Sequence, residues 1–323
     1  VKFARSGGEA NSIAIRISRA ASSKDNIAIC GYHGWHDWYL SANINKSDKL
    51  DKHLIKGLEV KGVPKKLYNT VFPFNYGDFD TLEKLVNKKN IGTIKMEVCR
   101  NTLPNINFLK KVRRLADKKK IILIFDECTT GFRQSFGGLY KSTGVKPDMV
   151  IFGKALGNGY AITAVLGKSE IMKYSQKTFI SSTFWTERIG PAAALQTLKI
   201  MESEKTWKEI TKIGKKIQKG WSSLANNLGL KIDIRGIPSL TNFTFKSEKN
   251  LLYKALITQE MLKNNFLATN SVYCCIKHED NIIKKYFDNL EKVFNMIKLC
   301  ENGHEINKFL KSKPSIMDFQ RLN

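Results

Sequence analysis

No apolar run in the 323 residues comes near the roughly 18 needed for a helix to cross a bilayer, and nothing at the start reads as a signal peptide. Proline is scarce, at 7 residues, and no Pro-, Gly- or Ser-rich stretch or internal repeat is visible, so linkers and repeat architectures are excluded. The six cysteines, Cys30, Cys99, Cys128, Cys274, Cys275 and Cys300, form no Cys-x-x-Cys pair. A chain this long needs no disulfide staple, so they read as thiols of a reducing, cytoplasmic compartment. Acidic residues are few: 29 Asp and Glu stand against 54 Lys and Arg, a net charge of +25. Arginine is scarcer still, with only ten among those 54. Arg is the residue suited to bidentate phosphate and base contacts. The lysines are spread along the whole chain, and the densest runs, Arg113–Lys120 and Lys212–Lys219, lie on helix-like segments where charges form a solvated face. The excess reads as background composition, with no specific nucleic-acid partner. A basic nucleic-acid-binding protein is the competing class.

What is present is a balanced globular composition, 42 % apolar and 26 % charged. Val1 opens a strand already in progress, which leads us to expect further chain before it. Strand-like and helix-like segments alternate through the first two thirds. Strands are expected at Val1–Ala4, Asn26–Cys30, Ile91–Val98, Ile121–Phe125, Met149–Phe152 and Ala164–Gly167, with helices at Ala10–Arg19 and Phe108–Asp117. Buried runs separated by helices predict a mainly parallel α/β sheet flanked by helices. Residues 46–77 have no clear periodicity and read as a long surface excursion. From Pro191 to about Leu228 the pattern is one or two long helices. Strands at Lys231–Ile234, Leu240–Phe245 and Ser271–Ile276 follow, with helices at Leu251–Asn264 and Asn281–Cys300. That predicts a large domain over 1–215 and a smaller C-terminal α+β domain over 216–323.

Four strand ends carry chemistry. Ile121-Ile-Leu-Ile-Phe runs into Asp126 and Glu127, and in open α/β sheets ligands bind beyond the carboxyl ends of the strands. Met149-Val-Ile-Phe152 runs into Gly153-Lys154, followed by Gly157 and Gly159. A lysine in so apolar a place is expected to have a depressed pKa and act as an amine nucleophile. A strand-end Asp followed 28 residues later by a strand-end Lys suggests pyridoxal phosphate. The lysine then forms the Schiff base, and the aspartate pairs with the pyridinium nitrogen. The turn Arg5-Ser6-Gly7-Gly8-Glu9-Ala10-Asn11 leads from a strand to a helix N-terminus whose free N–H groups suit a phosphate. Gly31-Tyr32-His33-Gly34 offers an aromatic face for the ring. Each signal is weak alone, and the four in this order are far more specific.

These residues resemble the class III pyridoxal-phosphate aminotransferases of fold type I, in particular the glutamate-1-semialdehyde aminomutase branch. The resemblance rests on Ser6-Gly7-Gly8-Glu9-Ala10-Asn11, Tyr32-His33-Gly34, Glu97, Asp126-Glu127-Cys-Thr-Thr130-Gly131-Phe132-Arg133, Pro147-Asp148, Gly153-Lys154-Ala155-Leu156-Gly157, Ser182-Thr183-Phe184 and Val272-Tyr273 up to His278. It covers essentially the whole chain. It implies Lys154 as the Schiff-base lysine, Asp126 as the pyridinium partner and Tyr32 as the stacking aromatic. Gly7 and Gly8, with Ser6 beside them, are implied at the phosphate. Thr183 matches a threonine that reaches the phosphate bound in the neighbouring subunit, which implies a homodimer with shared sites and small-molecule amino donors and acceptors. Arg133 directly after Thr-Gly-Phe is similar to the aminomutase branch. An aminotransferase of amino-sugar or surface-polysaccharide biosynthesis is the alternative within the family.

The sequence departs from the family at Gly8, where a Ser or Thr hydroxyl is usual, and at Thr129, where Gln or Met is common beside the phenolic oxygen. It departs again over Phe184–Pro191. His33, Glu97 and Glu127 are expected to fix the cofactor or the sheet end, and Arg235 is open between a substrate-carboxylate site and a structural turn. His33, His36 and Asp37 have metal-like spacing, but they follow a strand directly and no metal is expected. Cys274-Cys275 reads as core filling within a strand.

Overall fold

The computed structural model describes residues 1–315 apart from 47, 54, 55, 100 and 101. In chain order the elements are β1 (Lys2–Ala4), α1 (Gly7–Ser22), β2 (Asn26–Cys30), α2 (Asp37–Leu40), β3 (Val71–Pro73), α3 (Phe79–Lys88), β4 (Ile91–Glu97), α4 (Ile106–Lys119), β5 (Ile122–Glu127), β6 (Met149–Phe152), β7 (Thr163–Gly167), α5 (Ser169–Met172), α6 (Ile189–Glu204), α7 (Thr206–Asn227), β8 (Ile232–Arg235), β9 (Leu240–Phe245), α8 (Asn250–Lys263), β10 (Ser271–Tyr273) and α9 (Asp280–Glu301). Two compact units share them. Their boundary after β7 falls between Glu204 and Lys205 rather than near residue 215. Lys205 takes a left-handed φ of +52°, which breaks the helical stretch into α6 and α7 without a Gly or Pro to announce it.

The first unit holds a seven-stranded sheet in the order β1-β7-β6-β5-β4-β2-β3. Strands β3, β2, β4, β5 and β6 run parallel; β7 is antiparallel to both its neighbours, β6 and β1. Strands β4 and β5 are buried along their whole length, as a sheet covered on both faces requires. Helix α4 buries Phe108, Leu109, Val112, Leu115 and Ala116, one stripe at helical spacing, and Asn105 caps its start by accepting the Phe108 N–H. Asp148, at the entry to β6, accepts from the Leu123 N–H and pairs with Arg113 and Lys168, tying β5, α4 and the end of β7 together. Burial pushes the Asp148 carboxyl up, but the Leu123 N–H and the two cations hold it below the ordinary value. The 46–77 segment, in its described residues, runs through turns, irregular chain and a short 3-10 turn at Lys65–Leu67, as the lack of period suggests. It also returns to the sheet edge as β3, a three-residue strand too short to show alternation.

The second unit is a three-stranded antiparallel sheet, β10-β9-β8, with α7, α8 and α9. Strand β9 occupies 240–245 end for end with the sequence reading, and its alternate residues Thr241, Phe243 and Phe245 are buried. Phe243 packs on Trp221 and Phe294, and the Trp221 Nε1–H donates to the Tyr286 hydroxyl at 2.9 Å. Strand β10 stops at Tyr273, so Cys274 and Cys275 lie beyond it. Cys274 fills the core as expected, whereas Cys275 is exposed.

Candidate active site

The carboxyl ends of the parallel strands gather the residues singled out in the sequence. Asp126, one residue before the end of β5, lies next to Glu97 of β4, its register partner. The turn from β1 into α1 is fixed by a reciprocal cap. Ser6 Oγ accepts the Glu9 N–H at 3.3 Å, and Glu9 Oε2 accepts the N–H groups of Ser6 and Arg5 at 3.0 and 2.9 Å. The cap occupies the Ser6 hydroxyl and leaves the first N–H groups of α1, those of Gly7 and Gly8, facing outward from the helix end.

Three glycines bring this turn against the strand ends. A methyl group on Gly7 would stand 3.5 Å from Sγ of Cys128, and one on Gly153 3.3 Å from the same sulfur. One on Gly34, whose φ is +101°, would lie 2.9 Å from Cα of Gly8. The phosphate-type turn, the residues after β5, the lysine-bearing turn after β6 and the Tyr32-His33-Gly34 segment therefore meet at one place.

Lys154 sits there in a left-handed conformation (φ +44°), and its Nζ donates to Oγ1 of Thr129 at 3.0 Å. Contrary to the sequence reading, it is exposed: the apolar strand ends before it, and the glycines around it leave its side chain uncovered. Asp126, by contrast, is buried. Its Oδ2 accepts from Nδ1 of His33 at 2.9 Å, and its Oδ1 accepts the Cys128 N–H at 3.1 Å. Burial pushes the Asp126 carboxyl up, but Lys95 first, then His33 and the Cys128 N–H, hold it well below the usual carboxylate range. His33 is fully buried between Trp38 and Tyr39, and burial together with Lys95 pushes it down to about 4 against the pull of Asp126. Its Nε2 is buried without a hydrogen-bond partner.

The remaining candidates divide by role. Glu97 Oε2 accepts the Tyr32 N–H at 3.2 Å, which anchors the half-buried Tyr32 to the sheet end. Glu127 points away into the next loop. Its carboxylate accepts from Thr130 Oγ1 at 2.5 Å and from the N–H groups of Leu139 and Tyr140 at 3.0 and 2.8 Å. Burial nevertheless pushes it up to about 7 against those three bonds. Thr183 lies exposed on a short 3-10 turn, Thr183–Thr186, held to β1 by Trp185 Nε1–H donating to the Phe3 carbonyl at 2.7 Å and by Arg5 over Phe184. Arg235, in the second unit, is paired with Asp233 at 2.6 Å and lines a hollow with Gln218 and Lys219. His36 makes no metal-like cluster. Its Nδ1 is 2.8 Å from Ser12 Oγ, and its ring lies where a side chain at Gly8 would go. No group of three or more His, Cys, Asp or Glu is placed to hold a metal among the described residues.

Sequence reasoning passed over Cys128, the sulfur on which Gly7 and Gly153 converge, and Lys95, buried beside Asp126 with Nζ 3.4 Å from Oδ2. The signal for Lys95 was available: a single lysine inside the apolar run Ile91–Val98, two residues before Glu97 and so on the same face.

The fold is that of the pyridoxal-phosphate transaminases. The FumI protein of Sphingopyxis sp. MTA144, solved with PLP, superposes with a TM-score of 0.82 at 18 % identity, over 95 % of this chain and 73 % of that one. An ω-transaminase from Sphaerobacter thermophilus superposes at 0.78 and 20 % identity, over 91 % and 73 %. The chain belongs to the class-III aminotransferase family, whose model matches residues 1–265. It is 34 % identical over 290 residues to a 3-aminobutyryl-CoA aminotransferase of Cloacimonas acidaminovorans, covering 85 % of this chain and 66 % of that protein. It is 29 % identical over 320 residues to a glutamate-1-semialdehyde 2,1-aminomutase of Sulfurisphaera tokodaii, covering 92 % and 75 %. The fold class, the family and pyridoxal phosphate as cofactor thus stand as the sequence motifs implied.

Proposed function

We propose that this chain moves an amino group between small molecules, using pyridoxal phosphate held at the carboxyl ends of β5 and β6. The observation that carries the reading is the convergence of Gly7, Cys128 and Gly153 beside Lys154 and Asp126. The open turn, the orphaned Nε2 of His33 and the remaining acceptor on Asp126 suit a phosphorylated pyridine. When bound, that cofactor supplies a carbonyl that takes up the amino group and a ring that draws electrons from the carbon bearing it.

The protein's residues do the rest. Gly7 and Gly8 offer N–H groups to the phosphate at the positive end of α1, with the Ser6 cap holding the turn in shape. Asp126, kept as a carboxylate, would accept a hydrogen bond from the protonated ring nitrogen, and His33 keeps that carboxylate oriented. Tyr32, anchored through Glu97, presents its ring to the cofactor's face. Lys154 is both the covalent attachment point and the proton carrier, and Thr129 fixes the direction of its amine.

The active form we propose is a homodimer in the cytoplasm, with Thr183 of one subunit at the phosphate of the other. Trp35, Tyr160, Phe179, Ile189 and Leu195 support a partner surface on the first unit, since they leave large apolar side chains 57–87 % exposed. Six cysteines outside any disulfide support a reducing compartment, and no helix among the described residues is long and apolar enough to cross a membrane.

The two kinds of relative define two outcomes. An aminotransferase releases its keto product before a second acceptor binds; an aminomutase re-aminates the same molecule at the neighbouring carbon. The test is to incubate the chain and pyridoxal phosphate with 3-aminobutyryl-CoA plus a keto-acid acceptor, and separately with glutamate-1-semialdehyde. Amino transfer that depends on Lys154 supports the reading. An inert chain that also fails to retain the cofactor overturns it.

A further inference from the structure

One buried ionisable group of the first unit has no part in the chemistry above. Lys95 is fully buried in the middle of β4, between Ile94 and Met96. Side chains alternate along a strand, so Lys95 shares a face with Glu97, and the register sets that face beside Ile124 and Asp126 of β5. A lysine ammonium is expensive to bury unless something of opposite charge receives it. Here the receiver is Oδ2 of Asp126, at 3.4 Å.

The acceptor count on Asp126 is nearly full. Oδ2 takes both the His33 Nδ1–H and the Lys95 ammonium, and Oδ1 takes the Cys128 N–H. With two lone pairs on each oxygen, these three N–H donors leave one acceptor position, on Oδ1, with the Cys128 thiol as a further neighbour of the carboxylate. We propose that Lys95 is a positioning residue that acts through Asp126 on the cofactor's ring nitrogen: its ammonium takes a share of the Asp126 charge and weakens the hold of that carboxylate on a proton at the ring. The proposal rests on the cofactor reading given above.

The groups that face Lys95 set its charge. Burial lowers Lys95 from its ordinary value, and the Asp126 carboxylate it meets, with Glu97 on its own strand, opposes that loss of the ammonium; the Cys128 thiol beside them is held neutral by its own burial. His33 lies on the far side of the same carboxylate oxygen with His53 behind it, and it is neutral over the working pH range. Lys95 is therefore the one cation buried against Asp126 among the described residues. A unit charge a few ångströms beyond a shared carboxylate, at an effective dielectric of about 20, shifts a neighbouring titration by on the order of one to two pH units.

The test uses the chain loaded with pyridoxal phosphate carrying ¹⁵N in the ring, with the nitrogen chemical shift followed against pH. In the wild type the ring proton is expected to leave at least one pH unit lower than in Lys95→Met, with Lys95→Arg following the wild type. Equal titration of wild type and Lys95→Met, or an earlier loss in Lys95→Met, overturns the proposal. Should Lys95→Met fail to fold, the wild type decides alone: loss of the ring proton by about pH 9 supports the role, and its retention to that pH rejects it. Failure of the wild type to take up the cofactor at all is a separate result that removes the cofactor reading and this proposal together.

Discussion

Glu127 follows Asp126 in the sequence and His33 meets it in space, and their ionisation acts on stability in opposite directions. Glu127 rises from 4.5 to about 7 on folding, so its contribution is complete below pH 4.5 and is lost as the pH climbs to 7. His33 falls from 6.5 to about 4, so it costs stability at acid pH and the cost vanishes as the pH climbs from 4 to 6.5. Between pH 4.5 and 6.5 these two largely cancel in the wild type. Glu127→Gln should expose the His33 slope, a gain on the order of 2–3 kcal/mol with rising pH, read by urea unfolding at several pH values. A level profile in that variant would contradict the assignment. Lys154→Ala should leave circular dichroism unchanged and cut turnover by at least 10²–10⁴-fold, the share of acid–base catalysis alone; turnover near wild type would remove Lys154 from the mechanism. The placement of Lys154 and Asp126 at the sheet end was legible because each comes at the end of an apolar run. For Lys95 the lone lysine in an apolar run was a signal, but its partner was not legible, because the register that sets it beside Asp126 depends on another strand.

At the scale of elements, the site depends on how closely the loop after β2 crosses the start of α1. Gly34 carries that crossing, with a left-handed φ and the Cα of Gly8 where its side chain would stand. Gly34→Ala should push the Tyr32-His33 segment outward and weaken cofactor retention by tenfold or more, at a stability cost of about 1–3 kcal/mol. Equilibrium dialysis against pyridoxal phosphate, with thermal unfolding in parallel, measures both; unchanged retention would mean the crossing does not shape the site. Elements with a sustained period were readable. Strand β9 was legible end for end because it alternates, and α4 and α9 because their stripes repeat over several turns. Strand β3, at three residues, and the break at Lys205 left no pattern: one is too short to alternate, and the other is a left-handed turn made by a residue type that ordinarily continues a helix.

Over the whole chain, the sequence pointed to a mainly parallel sheet followed by a smaller α+β unit, because the run of strand-end motifs and the change of pattern after Gly190 are long-range features. The dimer we propose was suggested in the sequence only through resemblance, since its support here is the exposure of side chains such as Phe179 and Ile189, which no single sequence reveals. Sedimentation should find a dimer, and Thr183→Val should weaken cofactor retention, by about 1–3 kcal/mol if its hydroxyl meets the phosphate. A monomer that binds the cofactor fully would rule out the shared site. The charge of +25 should matter little to the chemistry, with rates nearly unchanged in moderate salt and nucleic-acid binding weak and lost at physiological ionic strength.

Lys154 as the anchor of a pyridoxal-phosphate centre is tested most directly by mixing the chain with the cofactor, reducing with borohydride and mapping the label by peptide mass spectrometry. We predict that the label falls on the peptide carrying Lys154 and is absent from Lys154→Ala. Label spread over surface lysines, fixed at another lysine such as Lys95, or missing altogether would contradict it.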